Sequence, residues 1–474
     1  MKVNHSSSRF IEERSGLWTV CPNCGHEYES PKRHCRECHY FSPDYWDQAK
    51  GRKAKIRKRR IIILLVILIP LIALSLFILY PYLPYPPTFI NSPETDISSE
   101  PSPGDWTVYG YNSAHTRYIS TGSEIEGRIE WSADLLVQVD SAPVVKDGTL
   151  YVGGNFKFYA LSAKTGKMIW ESETTGPVHS SPAVSEKLIF FGLLDGRVIA
   201  LDRYSGRLVW AFQSENFIFH PAIVNNGLLF IGSGDRKIYA LDASNGMVIW
   251  KRSRSGSIVS APALDEDILY FSTNDRKLHS LDARTGARRL CFRLYRNLLD
   301  APVIANNLVY FVTVDGKLNT IRHGTREWPG QYQMIWMWAQ LWLWYLPVPP
   351  PPKQPGSMWR VLPQRRFTRF TTSPAVAEKN LYIGDNTGIF YAFDAINGKP
   401  LWQFKAGASI TGGPLVLANR VYFGDEEGFL YALQCETGEM IWKLNLHAPI
   451  MVHPIYAEGF LYVRTSDGLL YAIR

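Results

Sequence analysis

Cysteine is scarce in this chain: six residues among 474, with four of them before residue 40. Only Cys291 and Cys435 follow, so a disulfide framework cannot organise the bulk of the protein. Net charge is scarce too, once it is located. Of the formal +8, residues 1–60 supply +7, from 14 Lys/Arg against 7 Asp/Glu. The remainder is close to neutral, which excludes an extended basic face for nucleic acid. Between Ile61 and Tyr80 charge is absent altogether: IIILLVILIPLIALSLFILY. A hydrophobic share of 46% and a charged share of 20% exclude wholesale disorder.

The uncharged run is long enough to be a membrane helix. At about 1.5 Å per residue it crosses the ~30 Å hydrocarbon layer, and Pro70 is tolerated in such a helix. A cleaved signal peptide would begin near residue 1 and end in small residues; here sixty residues precede the run. The segment RKAKIRKRR, Arg52 to Arg60, lies immediately before it. Such a run is retained on the cytoplasmic side and also suits anionic headgroups. The expectation is one span with a cytoplasmic N-terminus and an extracytoplasmic remainder.

Two CxxC pairs, Cys21-Pro-Asn-Cys24-Gly and Cys35-Arg-Glu-Cys38-His, are separated by ten residues. Four thiolates at that spacing can close a tetrahedron around Zn²⁺, and the reducing cytosol favours metal over disulfide. So small a module has little core, so the metal would supply its folding free energy. The residues resemble a zinc ribbon of the CPxCG type, with structural zinc on Cys21, Cys24, Cys35 and Cys38. Cys35 to His39 also fits the CxxCH haem-attachment pattern, but that chemistry needs the opposite side of the membrane and leaves Cys21 and Cys24 without a role. Redox-active or free thiols are the third reading.

Residues 81–104 are rich in proline and small polar residues and read as an extended spacer. The chain then repeats itself. YALDASNGMVIW at 239 has counterparts at 159, 199, 279, 391 and 431, the first four units starting forty residues apart. Each unit reads as four short strands, shown in the second by SSPAV, KLIFFG, RVIALD and RLVWAF. Gly166, Gly206, Gly246, Gly286, Gly398 and Gly438 share one turn position, where a left-handed backbone costs glycine nothing. Asp202, Asp242, Asp282 and Asp394 precede these turns and can accept backbone amides. Trp170, Trp210, Trp250, Trp402 and Trp442 follow four residues after the glycine and can bury their rings between neighbouring units. Leu290 takes that slot in the fourth unit and Trp359 in the fifth. The last unit stops after its third strand, and Gly127-Arg-Ile-Glu-Trp131 supplies the missing signature. The count is eight blades in a closed ring.

These repeats, with the opening DWTVYGYNSAHTRY at 105–118, resemble the quinoprotein (PQQ-like) propeller family. The resemblance implies the fold over residues 105–474 and leaves function open. That family includes quinone-dependent alcohol dehydrogenases and a non-enzymatic scaffold lipoprotein of outer-membrane assembly. The dehydrogenase type implies a central quinone pocket, a Ca²⁺ site, a catalytic Asp and often a Cys-Cys disulfide. This chain has no Cys-Cys dipeptide, and most units are a bare forty residues without the insertions that build that pocket. Pyrroloquinoline quinone is therefore not expected, and Cys291 and Cys435 read as buried small hydrophobes.

One stretch breaks the pattern. About thirty extra residues, 328–358, separate the third strand of the fifth blade from Trp359 and crowd together Trp336, Trp338, Trp342, Trp344 and Tyr345. The stretch is too short to span a bilayer. It reads as a hairpin or flap on its own propeller, as an interfacial membrane contact, or as a partner surface. By strand counting it leaves the ring on the same face as the incoming linker.

The sequence thus predicts an all-β protein: an eight-bladed PQQ-like β-propeller, plus a small zinc ribbon and one transmembrane helix. The segments are the cytosolic ribbon at 1–50, the basic run at 51–60, the helix at 61–80, the linker at 81–104 and the propeller at 105–474. The expected role is a monomeric, non-catalytic scaffold of the plasma membrane that presents its propeller to protein partners outside the cytoplasm. The alternatives are a quinone-dependent redox enzyme and a transmembrane ligand sensor.

Overall fold

The computed structural model describes residues 18–20, 25–29, 43–82, 96–135, 141–362 and 368–474. The chain divides into two compact units, Met1–Tyr80 and Pro81–Arg474.

In the first unit, strands Trp18–Val20 and Glu27–Glu29 form an antiparallel hairpin with Trp18 opposite Glu29. Cys21, Cys24, Cys35 and Cys38 lie outside the described residues. Among the described residues, no group of three or more His, Cys, Asp or Glu is placed to hold a metal. Helix α1 runs over Pro43–Leu79, so it begins well before the expected Ile61 and includes the basic run. Proline suits a first helical position, and Gln, Ala, Lys and Arg propagate the helix. The stretch Arg57–Leu76, with mean hydropathy 2.5, is long and apolar enough to cross a membrane.

The second unit contains eight four-stranded antiparallel sheets with inner-to-outer order first to fourth strand; one of them gains an extra short strand. The second and third strands of a blade are packed on both faces, so they carry continuous apolar runs: in the third blade Leu228–Gly232 is buried throughout. The fourth strands are outermost and alternate, as in Met440–Asn445, where every second residue is half-buried. The ring closes as expected. Strand Ile129–Asp134 pairs with Leu469–Ile473, Ala472 opposite Trp131 and Leu470 opposite Ala133.

The Trp and Gly signatures meet across blade boundaries. The Trp170 ring lies over Gly206 so closely that an added Cβ would come within 2.5 Å of it. Its indole Nε1 donates to Arg203 O at 3.3 Å in the same turn. Trp131, Trp210, Trp250, Trp359, Trp402 and Trp442 each repeat the contact, donating to a carbonyl of the next blade. Each Gly is therefore required twice, for its positive φ and for ring contact. The Asp residues before the turns accept amides as expected; Asp202 Oδ1 takes Ser205 N at 2.8 Å.

Residues 99–119 do more than approach the ring: they plug its centre. Trp106 and Val145 exchange backbone bonds at 2.8 and 2.7 Å. Thr107, Ser113, Ala114, Thr116 and Arg117 carbonyls accept Val184, Leu264, Ile304, Val376 and Val416 amides, and Ser99 N donates to Val224 O. Gly104 O accepts Glu458 N of the eighth blade. The plug thus adds a hydrogen-bonded partner to the inner edge of every blade, beginning within the stretch read as linker.

The insert also departs from expectation. It contains helix α2, Gln331–Leu343, rather than a hairpin. Met, Leu, Gln and Ala favour a helix, and no Gly or Pro interrupts it. The insert does leave from between a third strand, Leu318–Arg322, and a fourth, Ser357–Val361. It then lies along the outermost strand of the fourth blade, Arg288–Arg293. Glu327 N donates to Arg289 O at one end, and the Gln354 amide bonds Arg293 N and O at the other. It is therefore not confined to the face where the linker enters.

Candidate functional site

Two cavities border the plug. One, of about 440 Å³, is lined by Glu100, Asp265, Glu266 and Asp267. The other, of about 310 Å³, is a cup on the face made by the connections from each fourth strand to the next first strand. Its floor is Tyr109 and Arg117 of the plug; its wall includes His220, Asp300, Thr372, Ser373 and His453.

The floor carries one ion pair. Asp300 Oδ2 lies 3.6 Å from Arg117 Nη2 and accepts the Tyr109 and Ser373 hydroxyls, each at 2.8 Å. Arg117, only 1% exposed, also donates to Pro374 O at 3.2 Å and to the Tyr109 oxygen at 3.0 Å. Burial alone would raise the Asp300 carboxyl, but Arg117 and the hydroxyl donors hold it below the usual carboxylate range. Burial, reinforced by Arg117, drives His453 well below the ordinary imidazole value, and it brings His220 to about 4. His115, under the floor, falls to about 3 for the same reasons, burial first. At neutral pH the Arg117–Asp300 pair therefore sits beside two neutral imidazoles, His220 and His453.

Several polar atoms remain without partners. Arg117 Nε, Thr372 Oγ1 and His453 Nε2 are buried and make no hydrogen bond. Such groups are costly to leave unsatisfied, so the polarity of this floor is not explained by its own internal hydrogen bonds. Its rim is apolar: Phe219, Leu299 and Met451 are exposed, and His179 stacks on Phe219 with centroids 5.5 Å apart.

Pyrroloquinoline quinone carries three carboxylates. Among the described residues lining the cup, Arg117 is the one cation, and Asp300 already neutralises it. This donor set does not fit that group.

The sequence-predicted site residues lie elsewhere. The four cysteines of the N-terminal region are outside the described residues. Trp336, Trp342, Trp344 and Tyr345 are exposed on or just beyond α2, while Trp338 is half-buried with Nε1 on Pro349 O at 2.8 Å. The cup went unread. One signal for it exists: in the two positions before the Pro of each first strand, four blades carry only Ser, Ala or Gly, whereas the other four carry His220, Asp300, Thr372 and His453.

Comparison with known proteins follows the same lines. The protein-family profile described as outer membrane protein assembly factor BamB matches residues 117–218, 194–289, 261–335, 352–428 and 386–474. Among curated proteins, a 1-butanol dehydrogenase (cytochrome c) of Thauera butanivorans is 33% identical over 118 residues, 21% of this chain and 17% of that protein. The dehydrogenase subunit of an alcohol dehydrogenase (quinone) of Gluconobacter oxydans is 31% identical over 119 residues, 21% of this chain and 16% of that one. The matched region thus spans about a sixth of the length of these relatives. Among solved structures, BamB of Moraxella catarrhalis superposes with a TM-score of 0.57 at 17% identity, covering 73% of this chain and 96% of that one. A quinohemoprotein alcohol dehydrogenase of Comamonas testosteroni gives 0.62 at 15% identity, covering 78% and 80%. At these identities the structures share the fold.

Proposed function

The chain belongs to the family described as outer membrane protein assembly factor BamB, and from that premise we propose that it is a membrane-anchored, non-catalytic propeller that binds protein partners at the cup. The observation that carries this reading is the state of the cup. Its single carboxylate is saturated by Arg117, Tyr109 and Ser373, which leaves no free base or second acid beside it. Its polar floor of Tyr109, Arg117 and Asp300 sits within an apolar rim of Phe219, Leu299 and Met451. A polar centre ringed by exposed apolar side chains is the anatomy of a pocket that receives one anchoring side chain of a partner.

In this reading α1 is a single plasma-membrane span with the basic run in the cytoplasm, and the propeller works as a monomer outside it. A structural zinc on Cys21, Cys24, Cys35 and Cys38 folds the N-terminal module; the strands at 18–20 and 27–29 flank the first pair as a knuckle requires. Equimolar zinc by elemental analysis of the full chain, lost on Cys21→Ser, is the expected result. A haem absorption band on the purified protein would instead overturn the assignment.

The runner-up is a quinone-dependent redox enzyme, favoured by similarity to alcohol dehydrogenases over about a fifth of the chain. Titration of the full chain with pyrroloquinoline quinone and Ca²⁺, followed by dye-linked alcohol oxidation, separates the two. No saturable binding and no turnover is expected, together with crosslinking of an envelope protein that Met451→Ser and Phe219→Ser weaken. Saturable quinone binding with turnover would replace the scaffold reading.

A further inference from the structure

The insert presents a surface that the propeller does not need for its own packing. Residues 331–346, QYQMIWMWAQLWLWYL, contain no charged side chain, and α2 has no buried residue. Trp336 is 55% exposed, Trp344 69% and Tyr345 96%, with Met334 and Met337 exposed beside them. A helix with such a face lies in an interface or against a partner.

What stands behind the helix points to the occupant. The outermost strand of the fourth blade places Arg288, Arg289 and Arg293 there, and Arg254 directly follows the outermost strand of the third. Arg288 is paired with Glu327, but Arg254, Arg289 and Arg293 have no ion pair among the described residues. The Nε atoms of Arg254 and Arg289 are buried without a hydrogen-bond partner. Arg254 and Arg288 are near enough to repel each other's charge. Arg293 lies against the Tyr332 ring of α2, 3.3 Å from its centroid, so the basic strip and the aromatic helix are one continuous surface. Cations behind a strip of Trp and Tyr complement an anionic phospholipid surface, where the rings sit at headgroup depth.

Tyr82 adds an observation within the same unit. Its hydroxyl donates to Glu327 at 2.8 Å, and the Arg288 guanidinium covers its ring at 5.2 Å, so an aromatic ring flanks the strip at the base of the insert as well.

We propose that α2 and the arginine strip behind it form a docking surface for anionic phospholipid, with the Trp-rich face in the interface and Arg293 on a lipid phosphate. The surface holds the propeller against the leaflet on its own side. This rests on the span in α1 and is independent of what the cup binds.

Full-length protein reconstituted in phosphatidylcholine vesicles, with or without phosphatidylglycerol and with a fraction of brominated lipid, tests it. The combined variant Trp336→Phe, Trp342→Phe, Trp344→Phe is expected to lose a lipid-quenched part of the wild-type tryptophan emission. That part should grow severalfold when phosphatidylglycerol is present, since each arginine near an anionic surface is worth roughly fivefold. Arg293→Gln, an exposed position that leaves the blade intact, should return it toward the zwitterionic level. An identical quenched fraction in wild type and the Phe variant overturns the proposal and leaves the face to a protein. Equal quenching in both vesicle types overturns the anionic specificity. Acrylamide quenching of the wild type gives a second reading without a variant: the insert should be shielded only in vesicles.

Discussion

Arg117 and Asp300 show how much of the ring's centre depends on a few residues held in unusual backbone. Tyr111, His115 and Arg117 all adopt positive φ, at 82°, 59° and 51°, a conformation non-glycine residues take at a cost. The plug holds them because its backbone is bonded to the blades on all sides. In return His115 is fully buried, with Nδ1 3.3 Å from Pro302 O. A pH dependence follows. Burial first, then Arg117, lowers the folded-state pKa of His115 to about 3, below the unfolded value of about 6.5. The unfolded chain thus takes up a proton that the folded chain refuses. Stability from this residue is complete above about pH 7 and is lost as pH falls through 6.5 toward 3. At pH 5 the loss is about 2 kcal/mol. Buried His453 shifts in the same direction and adds to it. Thermal midpoints in detergent should fall between pH 7.5 and 5, and His115→Asn, which tolerates the same backbone, should flatten that fall. An unchanged pH slope in the variant would show that the imidazole contributes nothing.

At the scale of elements, what the sequence made legible is what repeats. The Trp of one blade and the Gly turn of the next recur at fixed spacing, because each contact is made by the same pair of side chains between adjacent units. The exception is informative: Leu290 occupies the fourth slot, and Gly324, the matching turn, has no ring over it. The insert starts immediately after that turn, so the junction without a Trp is the one beside which 325–327 leave the ring. The plug was not legible because its bonds are backbone to backbone and leave no side-chain pattern to count. The cup shared that fate: His220, Asp300, Thr372 and His453 come from four blades and mean nothing singly. Helix α2 was misread for a different reason. Its N-cap, Gly330 at φ 86°, offers no side-chain cap to announce a helix. The closing strand, by contrast, was found from one Gly-x-x-x-Trp signature, because the last unit lacked its fourth strand.

For the whole molecule, closure and plug are two separate ways of holding one ring. Strand Ile129–Asp134 pairs with residues more than three hundred positions later, so this contact forms only once the intervening blades exist. The plug, residues 99–119, is joined to that strand by a short connection and bonds to the inner edges of the blades. If closure is the dominant restraint, removing it should undo the ring cooperatively, because an open propeller exposes two sheet edges and leaves blades stabilised only by their neighbours. If the plug dominates, the other blades should survive and only the eighth should loosen. A chain ending at Gly468 lacks the strand Leu469–Ile473, which leaves Ile129–Asp134 unpaired and Phe460–Arg464 paired only with Ile455–Ala457. Because the plug touches the inner strands directly, the expected result is local. Hydrogen exchange should accelerate at 129–134 and 455–464, while the second to sixth blades keep their protection. Uniform loss of protection around the ring would assign the restraint to closure instead. The same measurement on a plug variant, Trp106→Ala, should give the complementary pattern, with the inner strands of the first and second blades exposed first, since Val145 and Val184 lose partners held in place by that ring and its neighbour Thr107.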